Sequence, residues 1–178
     1  TLVLHRALQY ASTFGYTVWL RPNASWLGNG VAAKGPLATR LGLSGVPVIA
    51  ETIGLNTILE LVRDTRARVH LCRISSAAGI GLVRAAKAEG LPVTCDVSVN
   101  HLHLTDVDIG YFNAAMRLTP PLRQQRDRDA IRAGLADEFR QIVFPAVQGR
   151  GRRFFPDDYV VPRLERVDAA VFSSGITY

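Results

Sequence analysis

The chain is predicted to be an α/β protein, and three observations carry that prediction. Segments with helical apolar spacing alternate with short apolar runs of strand length. Glycines or capping serines stand at the joins. The order helix then strand occurs three times before residue 98. Strands joined in this way pair in parallel, because each helix carries the chain back across the sheet before the next strand begins.

Leu4, Ala7, Leu8 and Ala11 follow the i, i+3, i+4, i+7 spacing of one helix face, and Gly15 ends that segment before the strand-like Tyr16 to Leu20. Leu55, Ile58, Leu59 and Val62 repeat the spacing, and the apolar run Arg68 to Cys72 follows as a strand. Ser75 or Ser76 caps the third helix, whose buried face is predicted as Ala78, Leu82, Ala85 and Ala86, with Gly90 as its stop. Pro92 to Val97 is the next strand. A further helix carries Asp127, Asp129, Ile131 and Leu135. Beyond it, Gly149 to Arg153 favours a loop, and Tyr159 to Val161 and Ala169 to Phe172 supply two short strand candidates. No internal repeat points to a solenoid. Periodicity fits an open sheet and a closed barrel equally.

At 178 residues and 48% hydrophobic composition, the chain has enough apolar material for one core of ordinary size. Apolar runs such as Val46 to Ala50 are too short to span a bilayer, and the first residues lack a basic-then-apolar secretion pattern. The expectation is no membrane association and a cytoplasmic location. Cys72 and Cys95 lie in strand-like runs and are expected as buried, reduced thiols. The formal charge of +6 comes almost wholly from arginine, Lys34 and Lys87 being the only lysines. Arg150, Arg152 and Arg153 cluster with glycine, but the cluster is short and has no interleaved aromatics. It reads as a solvated basic loop and argues against nucleic-acid binding.

Gly79-Ile80-Gly81 is followed by Arg84 where a dinucleotide fingerprint has its third glycine, and neither a Walker loop nor a Gly-x-Ser-x-Gly elbow is present. More informative are His70-Leu71-Cys72-Arg73-Ile74-Ser75-Ser76, the run from Ala85 to Val97, Asn100-His101-Leu102-His103-Leu104-Thr105, and Leu118-Thr119-Pro120-Pro121-Leu122-Arg123. Together these segments resemble the dihydroorotases, in particular the dihydroorotase-like subunits that accompany aspartate carbamoyltransferase in bacteria. The resemblance covers residues 1–137 and leaves 138–178 as a tail of unrecognised origin. It implies part of a TIM-type (β/α) barrel, incomplete over these residues, with its site at the C-terminal ends of the strands. Arg21, Arg73 and Asn100 each lie just past such a strand.

In active dihydroorotases zinc polarises the amide carbonyl and supplies hydroxide, so imidazole and carboxylate ligands converge at the barrel mouth. The resemblance places one ligand histidine, opening a His-x-Glu-Asp run, at Arg21-Pro22-Asn23-Ala24. It places a second, opening a His-Val-Ser run, at Arg73-Ile74-Ser75. Arginine stays protonated and offers only donors, so no zinc is expected at Arg21 and Arg73 and no catalytic residue is assigned. His70, three residues before Arg73, is expected on the opposite strand face. His101 and His103, one residue apart, would share a strand face, which makes them a candidate residual zinc pair, although solvent-facing or hydrogen-bonded histidines fit as well. Asn100, His101, Thr119 and Arg123 match the family's substrate pocket as a vestige, with Thr119 where active enzymes carry asparagine. Arg123 is either an anion clamp or an arginine bonded to barrel carbonyls or Asp127. His5 is expected to be exposed.

The resemblance therefore implies a catalytically inactive dihydroorotase-like protein of pyrimidine biosynthesis. Its expected partner is an aspartate carbamoyltransferase subunit, with self-association also possible. Two alternatives stand beside it: an active zinc-dependent dihydroorotase with a rearranged site using His101, His103 and Asp96, or a small-anion binding module built on Arg21 and Arg73.

Overall fold

The computed structural model describes residues 1–134. The chain begins with helix α1 (Leu2–Thr13) and strand β1 (Thr17–Leu20). A small excursion follows: β2 (Ala32–Ala33), α2 (Pro36–Arg40) and β3 (Gly45–Val46). Then come α3 (Val48–Thr65), β4 (Arg68–Leu71), α4 (Ala77–Ala88), β5 (Val93–Cys95) and α5 (Val99–His103). Two 3₁₀ turns at Asp106–Ile109 and Ala114–Met116 lead to α6 (Gln125–Gly134).

Strands β1, β4 and β5 form one parallel sheet in chain order. Trp19, His70 and Thr94 stand side by side in its register. The pleat sends alternate residues to opposite faces. Val18, Leu20, Val69, Leu71 and Val93 therefore face the helices, where they pack with Leu8 of α1, Leu55, Ile58, Leu59 and Val62 of α3, and Val83 and Ala86 of α4. Trp19, His70 and Thr94 occupy the other face. Helices α1 and α3 touch, as do α3 and α4, so one helix layer covers one side of a sheet whose strands never reverse order. That winding is the pattern of a barrel segment, whereas a doubly wound sheet reverses its order and carries helices on both faces.

The predicted boundaries of these units hold for physical reasons. Gly15 and Gly90 follow α1 and α4 with φ of +67° and +75°, a left-handed conformation that glycine adopts without steric cost. Ser76 caps α4, its hydroxyl accepting from the Gly79 N–H at 3.0 Å. All four predicted face residues of α3 are buried. A second, smaller core of Ala32, Leu37, Ala38, Ile109 and Leu122 gathers the β2–β3 pair, α2 and the 3₁₀ segment.

Several expectations need correction. The buried face of α4 is Gly79, Val83 and Ala86, while Ala78 and Ala85 are exposed and Leu82 is half-buried. A Cβ on Gly79 would overlap the Glu51 carboxylate, so the helix approaches its neighbours along the glycine. His101 and His103 lie on helix α5 rather than on a strand, because Ser98 accepts the Asn100 N–H and starts a turn there. His5 is only partly exposed and bonds Asp64 at 2.7 Å. Cys72 and Cys95 are not joined in a disulfide and are partly rather than fully buried. The strand candidates at 159–161 and 169–172 lie outside the described residues. Among the described residues no helix is long and apolar enough to cross a membrane.

Candidate functional site at the strand ends

The C-terminal ends of β1 and β4 and the loop before α6 enclose a cleft of about 60 Å³. Arg21, Arg73, Thr119 and Arg123 all line it, together with Glu51. Four of the positions singled out in the sequence thus converge. Asn100 and His101 do not line the cleft; both sit on α5.

Glu51 organises the floor. It lies in the first turn of α3 and is only 4% exposed. One carboxylate oxygen accepts the Ser75 N–H at 2.9 Å and the Ser75 hydroxyl at 2.5 Å. The other accepts the Ser76 N–H at 3.2 Å and the Ser76 hydroxyl at 2.6 Å. The negative charge therefore rests at the N-terminus of α4, where backbone N–H groups and the helix dipole favour it. Arg123 completes this network from the opposite side. Its Nε donates to the Ser75 hydroxyl at 3.2 Å and its Nη1 to the Val46 carbonyl at 2.7 Å. Burial holds its pKa below the usual arginine value, while the charges of Glu51 and Asp127 oppose that shift. Arg123 thus bonds the Val46 carbonyl and the Ser75 hydroxyl while lining the cleft. Asp127 instead accepts the Ala77 N–H at 2.9 Å.

Arg73 has φ of +57°, a conformation costly for a residue with a side chain. Two bonds hold it. The Arg73 N–H donates to Asp96 Oδ1 at 2.6 Å, and its guanidinium donates to the Thr119 carbonyl at 3.0 Å. Arg21 is exposed and makes no hydrogen bond or ion pair with another described residue. With Glu51 and Arg123 offsetting each other, the rim of the cleft carries the positive charge of Arg21 and Arg73.

His101 is 3% exposed, with Nε2 at 3.2 Å from the Pro121 carbonyl and Nδ1 buried without a partner among the described residues. Burial pulls its pKa below the usual histidine value, against the favourable Pro121 carbonyl and the Glu51 charge; Arg123 lowers it further. His103 lies two residues on, roughly 200° around the helix, so the two imidazoles do not share a face. The expected pair is absent.

Zinc, which the resemblance implies for active relatives, does not fit this cleft. Arg21 and Arg73 have no lone pair to give, and the only lining carboxylate among the described residues, Glu51, is committed to four donors. Glu51 was not singled out in the sequence, although the signal was there. It stands four residues before Leu55, on the apolar face of α3, and an acid at such a position must be paired.

No protein-family model matches the chain. Among curated proteins, a dihydroorotase-like protein of Pseudomonas aeruginosa is 42% identical over 142 residues, covering 79% of this chain and 34% of that protein. A dihydroorotase of Mycobacterium tuberculosis is 38% identical over 137 residues, covering 76% and 32%. The chain thus spans about a third of the length of the curated relatives it matches. Of solved structures, the L-hydantoinase of Arthrobacter aurescens superposes with a TM-score of 0.64 at 20% identity, over 75% of this chain and 30% of that one. A dihydroorotase of Campylobacter jejuni gives 0.53 at 13%, over 72% and 32%. At those identities the structures speak for the fold alone, that of TIM-barrel amidohydrolases. Over the stretch it shares with its sequence relatives the chain is homologous to the dihydroorotases and dihydroorotase-like proteins, and it is built as part of a TIM-type (β/α) barrel.

Proposed function

We propose that this chain is a catalytically inactive dihydroorotase-like protein of pyrimidine biosynthesis. In this reading it works in the cytoplasm as a structural partner of an aspartate carbamoyltransferase subunit. The observation that carries the reading is the convergence of Arg21 and Arg73 on one cleft at the strand ends. Two guanidiniums repel a dication there and cannot replace its imidazole ligands. The buried Glu51–Ser75–Ser76–Arg123 network is meanwhile fully bonded, as expected of a scaffold retained for folding and assembly. The test has two arms. The purified full chain, supplied with zinc, is assayed for hydrolysis of dihydroorotate and is separately passed over a sizing column with an aspartate carbamoyltransferase catalytic subunit. No ring hydrolysis and co-elution are expected. Zinc-dependent hydrolysis overturns the inactive reading, and separate elution overturns the partnership.

A second reading rests on Arg21. Its guanidinium has no partner among the described residues and faces a cleft far smaller than the roughly 300 Å³ of an ordinary ligand pocket. A small carboxylate held between Arg21 and Arg73 suits that space and charge. Thermal stabilisation by simple carboxylates, lost in Arg21→Ala, supports this reading, and indifference to them removes it.

A further inference from the structure

His70, Cys72 and Asp96 each offer one ligand atom, and these atoms lie within 4.8 Å of one another. The parallel register explains the grouping. His70 pairs with Thr94 and Leu71 with Cys95, so Cys72 and Asp96 come next, side by side. The period of two then puts His70, Cys72, Thr94 and Asp96 on one face of the sheet, the face opposite the helix layer. We propose that His70, Cys72 and Asp96, none of which lines the arginine-lined cleft although Asp96 bonds Arg73 of its rim, form a binding site for a borderline divalent transition metal of the zinc type.

Three details favour ligation over a merely structural cluster. The first is the imidazole. His70 Nδ1 is 2.7 Å from the Thr94 hydroxyl and Nε2 is 3.0 Å from Asp96 Oδ2. Without metal, Nε2–H donates to Asp96 Oδ2 and Nδ1 accepts from the Thr94 hydroxyl. On binding, the imidazole takes the other tautomer, Nδ1–H donating to that hydroxyl and the Nε2 lone pair turning to the metal, the outer-sphere arrangement that fixes a ligand histidine. The second is the carboxylate. Asp96 Oδ1 is occupied by the Arg73 N–H at 2.6 Å, which fixes the group with Oδ2 against His70 Nε2, the two atoms that would share the metal. The third is the mix of donor atoms. One imidazole, one thiolate and one carboxylate make a mixed N, S, O set suited to zinc or cobalt, and water takes the fourth position. On binding, the Cys72 thiol gives up its proton to solvent and the Cys72–metal bond forms.

The test uses the full chain, freed of metal by chelation, and cobalt(II) alone as probe. One equivalent is expected to give a thiolate-to-cobalt charge-transfer absorption and to quench Trp19, whose ring lies 4.6 Å from the His70 ring. Cys72→Ser is expected to abolish the absorption. Thr94→Val is expected to weaken binding about tenfold while far-UV circular dichroism stays unchanged. Absence of the band in the parent chain, or a band that survives Cys72→Ser, overturns the site.

Discussion

Glu51 shows how much one side chain determines here. Its carboxylate ties α3 to the first turn of α4 and faces the buried charge of Arg123. Glu51→Gln keeps the volume but turns an NH₂ toward serine donors and leaves Arg123 with only the more weakly acting Asp127 as buried counter-charge. Removing one partner of a buried charge pair costs about 3–5 kcal/mol, so the urea midpoint of the variant is expected to fall sharply. A change below about 1 kcal/mol would mean that Arg123 is satisfied by the Val46 carbonyl and Ser75 alone. Arg73 gives the complementary expectation. Arg73→His restores one imidazole beside Arg21, a site still lacking its other ligands, so zinc-dependent hydrolysis of dihydroorotate is expected to remain absent in a ring-opening assay. At this scale the sequence was informative about residue type and less so about conformation. The chemical mismatch of Arg21 and Arg73 was legible, whereas the left-handed backbone of Arg73 and its bond to Asp96 depend on contacts between segments 23 residues apart.

The presence of the helices longer than ten residues was read well from their apolar repeat, but their buried faces only in part, since Ala7 of α1 and Ala78 and Ala85 of α4 are exposed. Helix α3 has its buried stripe where the spacing put it. The two-residue strands β2 and β3 and the five-residue α5 are shorter than any period can mark, and they were missed. Misreading α5 as a strand produced the false His101–His103 pair. The consequence of α5 being a helix is a pH effect. His101 is buried neutral, and a second proton on its ring would place an N–H with no acceptor in the interior. Its folded pKa lies below the unfolded value of about 6.5. Above that value neither state is protonated and the stability is fully present. As pH falls below it the unfolded chain takes up a proton that the folded chain refuses, and stability is lost until the folded pKa is passed. Thermal melts between about pH 8 and about pH 5 are expected to show a falling midpoint in the parent chain. His101→Gln, which keeps a donor for the Pro121 carbonyl, is expected to flatten that fall, and an equal slope in both proteins would assign the pH effect to other groups.

At the scale of the whole molecule, the alternation of helix and strand was enough to predict a parallel α/β sheet, but barrel or open sheet was decided only by strand order. The order β1–β4–β5 with one helix layer leaves two needs unmet among the described residues. Strands β1 and β5 each have one edge unpaired in this sheet, and the face bearing Trp19, His70 and Thr94 has no second layer, with Trp19 69% exposed. In a closed barrel both needs are met together, since the edges pair and that face becomes the packed interior. A chain ending at residue 137 has, among the described residues, only this three-stranded sheet and the two-residue strands β2 and β3 for this purpose. Open parallel edges and an uncovered aromatic surface drive association, because pairing an edge satisfies backbone groups and covering Trp19 removes apolar area from water. Such a fragment is therefore expected to sediment as dimers or larger species, or to bind a carbamoyltransferase subunit, and to lose its cooperative melt on dilution. A monomer of that fragment with a sharp, concentration-independent transition would show that one helix layer packed on one sheet face suffices for folding, and that the exposed face is tolerated rather than sticky.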